Sequence, residues 1–422
     1  MPTPFRLNFA EMDQAQPGLA QRFALLGLFP ADYSIALEEA SAVWSVDDPA
    51  TGQVQASLDL LLARRLLDRT SDRVPLYRMP GVVRQLAEGA LAAAPDLRRA
   101  GETALISYYA AFATAHGEGL PDDITAMADV YDAANTALAW AEQAGRWPAA
   151  SALARGLCRF LYVRHMGNQY RDLLRRGMYA ATEGRQLLDQ AWFLREQGGL
   201  AAESSQWVLA ADFFEQSINI CRELGEERGE AQGLYEWGRM EIAQGHYETG
   251  RHLMNESMDI MRELQHGVLQ PATLHELAEL SVKQGHHEQA VRELQEALNA
   301  EVDRGDLAAQ ARTLHELGDL QANRGRSQPA VEYYLRSLTL DRQRQDRYHG
   351  GLNLTALGLQ AMLASDTNTA TRCWLAALAL LQAEKAPEAA DVDHALDRLL
   401  GVARVTLPPD VSRRALAEWW GA

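Results

Sequence analysis

The residues of this chain that could do chemistry recur at intervals of 40. Four carboxylates, Glu196, Glu236, Glu276 and Glu316, share one register, and beside them run Arg195, Tyr235, His275 and His315, then Arg239, Glu279 and Asp319. If each interval is a hairpin of helices whose first members line a common face, residues at this spacing share a groove. A row of carboxylates there would hold an Arg- or Lys-bearing peptide through charge-assisted hydrogen bonds. The same carboxylates could instead pair with arginines on neighbouring helices or face water, where an ion pair is worth ~0 to 1 kcal/mol. Both readings stay open at this level. His275-Glu276 and His315-Glu316 also offer imidazole and carboxylate to zinc. A zinc site needs three or four ligands converging at about 2 Å, and two successive intervals are too far apart for that.

No other constellation suggests catalysis. There is no H-E-x-x-H and no G-x-S-x-G. A phosphate-cradling loop needs Gly-Lys followed by Ser or Thr, yet of the chain's two lysines Lys283 follows Val282 and Lys385 follows Glu384. Cys158, Cys221 and Cys373 are isolated in apolar stretches, which fits buried thiols in a reducing cytoplasm better than nucleophiles or disulfides. The expected protein is therefore no enzyme and holds no cofactor or metal. With 422 residues, an apolar fraction of 47% and a net charge of −17, it is folded and repels nucleic acid and anionic lipid unless arginines are locally concentrated. The N-terminus lacks a basic segment leading into an apolar core, and no stretch approaches 18 apolar residues, so neither an export signal nor a membrane span is expected.

The elements that must position the groove residues also repeat. Gly198, Gly238, Ala278, Gly318 and Gly358 form a small column, as do Ala210, Gly250, Ala290, Ala330 and Ala370, and again Ser217, Ser257, Ala297, Ser337 and Ala377. Between them Phe214, Met254, Leu294, Tyr334 and Trp374 form a bulky column. Two antiparallel helices cross closely only where side chains are small, and a bulky residue one turn away fills the groove between neighbouring hairpins. Turns are expected near Gly245, Gly285 and Gly325, with Ser205 and Ser365 at the outer intervals.

Leu234-Tyr-Glu-Trp-Gly238, Leu274-His-Glu-Leu-Ala278 and Leu314-His-Glu-Leu-Gly318 resemble the L-x-x-L-G opening of the tetratricopeptide repeat, and Gly285 to Ala290 its G-x-x-x-x-A centre. The period of 40 departs from the family's commonest 34 and is similar to the longer variety of signalling regulators and scaffolds. The resemblance implies a right-handed α-solenoid over residues 191–382, five repeats that bind protein or peptide, with capping helices over 383–422 that include Trp419-Trp420. Residues 96–190 read as a helical connector. Cys158 and Tyr170, each 40 before a member of a small column, would allow one degenerate repeat there.

The N-terminal 95 residues lack the period. Helices are expected over about Gly18 to Leu28, Ser34 to Trp44 and Gln53 to Leu67, then a β segment Arg73 to Met79 and a further helix. Phe23-Ala-Leu-Leu-Gly-Leu-Phe-Pro30, Ala40-Ser-Ala-Val-Trp44, Leu58 to Leu67 and Tyr77-Arg-Met79 with Val82 to Ala87 resemble the winged-helix domain of STAND-class, NB-ARC-type switch ATPases. Tyr131-Asp-Ala-Ala-Asn135 and Leu138-Ala-Trp-Ala141 resemble the start of the sensor array in that class. Where the family carries Met-His-Asp, whose His reads the nucleotide, this chain has Met79-Pro80-Gly81. The resemblance implies a non-catalytic sensor or scaffold of a STAND-like system that lacks the nucleotide-binding domain, as a segment of a larger switch or a stand-alone relative. The alternative is a transcription regulator whose winged helix binds DNA. Against it, residues 1–90 carry eight Arg and eleven Asp plus Glu, 8 − 11 = −3, although Arg64, Arg65, Arg69 and Arg73 cluster after the third helix. A homo-oligomer is compatible with the pattern; a membrane partner is not expected.

Overall fold

The computed structural model describes residues 9–45, 52–71, 75–117, 121–264, 270–400 and 409–420. The fold is all-α, a helical solenoid, with 21 α-helices and one small sheet among the described residues. The chain divides into two compact units, Met1–Leu224 and Gly225–Ala422.

The first unit begins with α1 (Phe9–Ala15), α2 (Leu19–Leu25, continued by a 3-10 turn to Leu28), strand β1 (Ile35–Ala36), α3 (Leu37–Trp44), α4 (Gly52–Ala63), β2 (Asp68–Arg69), β3 (Leu76–Arg78) and α5 (Gly81–Ala92). The strands are antiparallel in the order β1-β3-β2, with Ile35 opposite Tyr77 and Asp68 opposite Arg78. This corrects two expectations. The second helix starts at Leu37 rather than Ser34, because Ile35 and Ala36 pair with β3 and the Glu39 carboxylate accepts the Ala36 amide at 2.8 Å. The third helix stops at Ala63 because Arg65 takes a left-handed φ of 58° and ends it. The start of the expected β segment, Arg73, lies outside the described residues.

Two long helices follow, α6 (Pro95–Ala115) and α7 (Pro121–Gln143), then the hairpins α8/α9 (Trp147–Val163, Gly167–Glu183) and α10/α11 (Leu187–Glu203, Trp207–Leu224). The bounds of α8 and α9 are those of α10 and α11 moved back 40 residues, within one residue. Glu39 joins α3 to α6: buried to 2% exposure, it accepts the hydroxyls of Tyr33 at 2.5 Å and Tyr109 at 2.6 Å. Burial raises its pKa against these hydrogen bonds.

The second unit comprises α12/α13 (Glu227–Ala243, Tyr247–Glu263), α14/α15 (Gln270–Lys283, His287–Asp303), α16/α17 (Leu307–Asn323, Ser327–Arg344) and α18/α19 (Arg347–Leu363, Thr367–Ala383), then α20 (Ala389–Leu400) and α21 (Pro409–Trp420). Trp420 of α21 lies against Gly350 of α18, where no side chain could fit beneath it.

Two local rules generate the register. Helices end by the same device every 20 residues: a residue with positive φ, as at Ser205 (57°), Gly225 (68°), Gly245 (85°), Gly305 (68°), Gly325 (70°) and Gln345 (57°). The next amide then reaches back five residues, as Gln206 N–H to Ala201 O and His246 N–H to Glu241 O, both 2.9 Å, which satisfies a carbonyl the helix end would leave open. Within each hairpin the bulky column meets the first small column. A Cβ at Gly198 would stand 2.8 Å from Phe214, at Gly238 2.8 Å from Met254, and at Gly318 2.5 Å from Tyr334. The knob thus fills the crossing of its own hairpin. That corrects the expectation that it fills the groove between neighbours: the small residue is what admits it.

Candidate functional site

In the second unit a groove of about 700 Å³ runs over the first helices of three successive hairpins, α12, α14 and α16. Six of the expected residues line it: Tyr235, His275, Glu276, Glu279, Glu316 and Asp319. Spacing by 40 places them, because α12 and α16 keep the same bounds 80 residues apart and α14 ends at Lys283, in the same register. Ala272, Ala278, Val282, Leu294 and Leu320 add apolar surface, and Glu301, Arg304, Asp306 and Arg312 add charge.

The carboxylates are partnered rather than idle. Arg239 lies 3.4 Å from Glu236 and 3.3 Å from Glu276 while its guanidinium covers the Tyr235 ring at 5.8 Å. It bridges two members of the ladder from adjacent hairpins. His275 sits between Glu316, 2.8 Å from Nδ1, and Glu301, 3.2 Å from Nε2. Glu301 is buried to 2% exposure and accepts the Thr313 hydroxyl at 2.8 Å. Burial works against the imidazolium, but the bonds to Glu301 and Glu316 outweigh it and raise His275 to about 9. Lys283 pairs with Glu279 at 2.7 Å, and Asp319 accepts the Tyr334 hydroxyl at 2.6 Å.

The remaining expected residues go elsewhere. His315 turns to Asn353, 2.9 Å from Nδ1, and packs on the Tyr334 ring at 5.5 Å. Arg195 and Glu196 belong to the first unit, where they pair at 3.0 Å and Glu196 accepts the Tyr170 hydroxyl at 2.8 Å. Glu236 meets Arg239 at the end of the groove marked by Tyr235.

Sequence reasoning missed Glu301 and its counterpart Asp341. The column that runs Cys221, Met261, Glu301, Asp341 and Leu381 is apolar except for these two acids. Acids at otherwise apolar core positions were the available signal. Asp341 has no exposed surface, accepts the Asn353 amide at 2.8 Å and lies 3.5 Å from Arg344; burial lifts it to about 6. His275, Glu301 and Thr313 thus recur 40 residues on as His315, Asp341 and Asn353, each set tying one hairpin to the next. Also missed was the work of the serine column: Ser217, Ser257 and Ser337 each donate at 2.7 Å to a carbonyl 26 residues back, of Ala191, Ala231 and Ala311.

Among the described residues no cluster of three or more His, Cys, Asp or Glu is arranged to hold a metal ion, and no helix is long and apolar enough to cross a membrane. Burial raises the Cys158 thiol well above its ordinary value and Cys373 to about 12, so neither is a ready thiolate.

A tetratricopeptide repeat family model matches residues 269–343, which hold α14 to α17 and most of the groove. Comparison with curated proteins finds no match. Among solved structures, a Signal Transduction ATPase with Numerous Domains (STAND) protein with a tetratricopeptide repeat sensor from Pyrococcus horikoshii is similar over 99% of this chain and 62% of its own, at 13% identity and TM-score 0.55. The apo form of RapI is similar over 81% of this chain and 89% of its own, at 14% identity and TM-score 0.52. At such identities the likeness concerns the fold.

Proposed function

We propose that this chain is a non-catalytic sensor or scaffold module that captures a protein or peptide in the groove over α12, α14 and α16. The observation that carries the reading is the groove itself. Three equivalent helices present mixed aromatic, apolar and charged side chains at one spacing, with each exposed acid oriented by a partner. Such a surface suits an extended or helical segment better than a small molecule, which calls for a deeper and mostly apolar pocket.

The finer reading, a sensor of a STAND-like switch, draws support from two sides. Helices α2, α3 and α4 with strands in the order β1-β3-β2 have the make-up of a winged helix. The fold likeness to the Pyrococcus horikoshii protein runs over both that segment and the repeats. In this reading the N-terminal segment passes on occupancy of the groove to a partner domain. The DNA-binding alternative draws less support: the exposed side chains of α4 are Gln53, Gln55, Ala56, Asp59 and Ala63, without a cation among them.

Peptide-library selection on the intact chain, followed by calorimetry on the selected peptides, tests the groove. Ala272 is exposed on its wall, so Ala272→Trp should fill it without touching the core and abolish binding. Undiminished binding by that variant would move the site elsewhere.

A further inference from the structure

We infer that the groove recognises an arginine side chain of its partner, held at the step between Glu276 and Glu316. The inference rests on the groove reading above and sharpens it to a ligand class. What carries it is a comparison within the chain. At the step from α12 to α14, Tyr235, Glu236, Arg239 and Glu276 form a closed set in which the guanidinium lies on the ring and within 3.4 Å of both carboxylates. Forty residues on, the step from α14 to α16 presents His275, Glu276, Glu279 and Glu316. Both flanking carboxylates are repeated, but the ring place holds His275, whose two nitrogens are engaged by Glu316 and Glu301, and the position that carries the bridging arginine carries an acid instead.

That second step gathers three carboxylates on one wall. Glu279 and Glu316 keep half or more of their side chains exposed, 62% and 51%. His275 engages Glu316 from the Glu301 side, and Lys283 engages Glu279 from one turn further along α14. Glu276 and Glu316 both line the groove, and a guanidinium placed between them would meet two carboxylates, as Arg239 does one step earlier. A planar fork meets two carboxylates at once, which an ammonium does less well.

The test uses the intact chain and a fluorescein-labelled nine-residue peptide alternating Arg and Ser, read by anisotropy, beside the same peptide with Lys or Gln in place of Arg. The Arg peptide should bind several-fold more tightly than the Lys peptide, and the Gln peptide should bind at least tenfold more weakly. Glu279→Arg should rebuild the closed set and weaken the Arg peptide at least tenfold. Glu332→Arg, on the exposed side of α17, makes the same change in net charge and should stay within twofold. Unchanged circular dichroism and melting would show that both variants are folded. Equal weakening by the two variants would reduce the effect to bulk charge and overturn the inference, as would equal affinity for the Gln peptide. If library-selected neutral peptides bind, are blocked by Ala272→Trp and ignore Glu279→Arg, the arginine inference fails while the groove reading stands. If no peptide of any kind binds, both fail.

Discussion

His275 Nε2 and the buried carboxylate of Glu301 lie 3.2 Å apart across the hairpin α14/α15, and the Thr313 hydroxyl of the next hairpin closes the same cluster. A charge pair at this depth adds to stability only while both members are ionised and hydrogen-bonded.

That condition sets a pH window. The ordinary histidine value is 6.5, and the folded protein holds His275 at about 9. The folded state binds the proton more tightly than the unfolded chain, so the full contribution is present below pH 6.5 and is lost as pH rises through 9. His275→Gln should therefore cost on the order of 2 kcal/mol at pH 6 and much less at pH 9.5, in urea unfolding followed by circular dichroism. An equal cost at both pH values would mean that His275 contributes by packing alone.

At Asp341 ionisation works against the fold instead, although here too stability falls as pH rises. Its carboxyl is lifted from 3.8 to about 6 by burial, so the ionised form is strained in the fold. Stability attributable to this group falls as pH rises from about 4 to about 6 and stays reduced above. Asp341→Asn removes the charge, and its amide oxygen can still accept from Asn353. The variant should be more stable than the parent by on the order of 1 kcal/mol at pH 7.5, with the gain vanishing near pH 4. Destabilisation at pH 7.5 would show that the Arg344 contact outweighs burial.

Two glycines separate close packing from backbone conformation. A Cβ at Gly318 would stand 2.5 Å from the Tyr334 ring, whereas one at Gly325 meets nothing within 4 Å but sits at φ 70°. Gly318→Ala should cost about 1 to 3 kcal/mol by overpacking the hairpin crossing. Gly325→Ala should cost about 1 to 2 kcal/mol, the left-handed penalty alone. Adding Tyr334→Leu should recover part of the first loss and none of the second, as thermal melts of the two double variants would show.

The columns at period 40 made the hairpins legible, since helix length, turn position and small-to-large pairing all repeat in the residue types. They also brought Tyr235, His275, Glu276, Glu279, Glu316 and Asp319 to one groove. What the columns could not carry is side-chain direction. Arg239 and Glu279 occupy one register, yet one bridges two carboxylates and the other joins them. Glu301 and Asp341 were hidden because a helical pattern marks which face a residue shares, and a buried acid on an apolar face shows itself only through its partners on other helices. The strand pair at Ile35 and Ala36 was missed for a similar reason: two residues are too few for alternation, and pairing with Tyr77 and Leu76 decides their conformation.

The serine column allows a sharper test of how strictly the repeat is built. Ser257 donates to the Ala231 carbonyl at 2.7 Å, and Ser337 makes the same bond to Ala311. Ala297 occupies this register one hairpin on, and the residue 26 before it is Pro271, in the register of Ala231 and Ala311. Ser257→Ala should cost about 1 kcal/mol, the net worth of a buried hydrogen bond. A hydroxyl added at Ala297 has the same route to a partner, so Ala297→Ser should change stability by less than about 0.5 kcal/mol. Ala290, equally buried but in the column that runs Gly250, Ala290 and Ala330, has no serine precedent in any hairpin. There Ala290→Ser should cost about 1 to 3 kcal/mol, the penalty of a buried hydroxyl without a partner. Urea midpoints of the three variants settle the point: if Ala297→Ser costs as much as Ala290→Ser, the hydrogen bond belongs to individual hairpins and the repeat does not provide it.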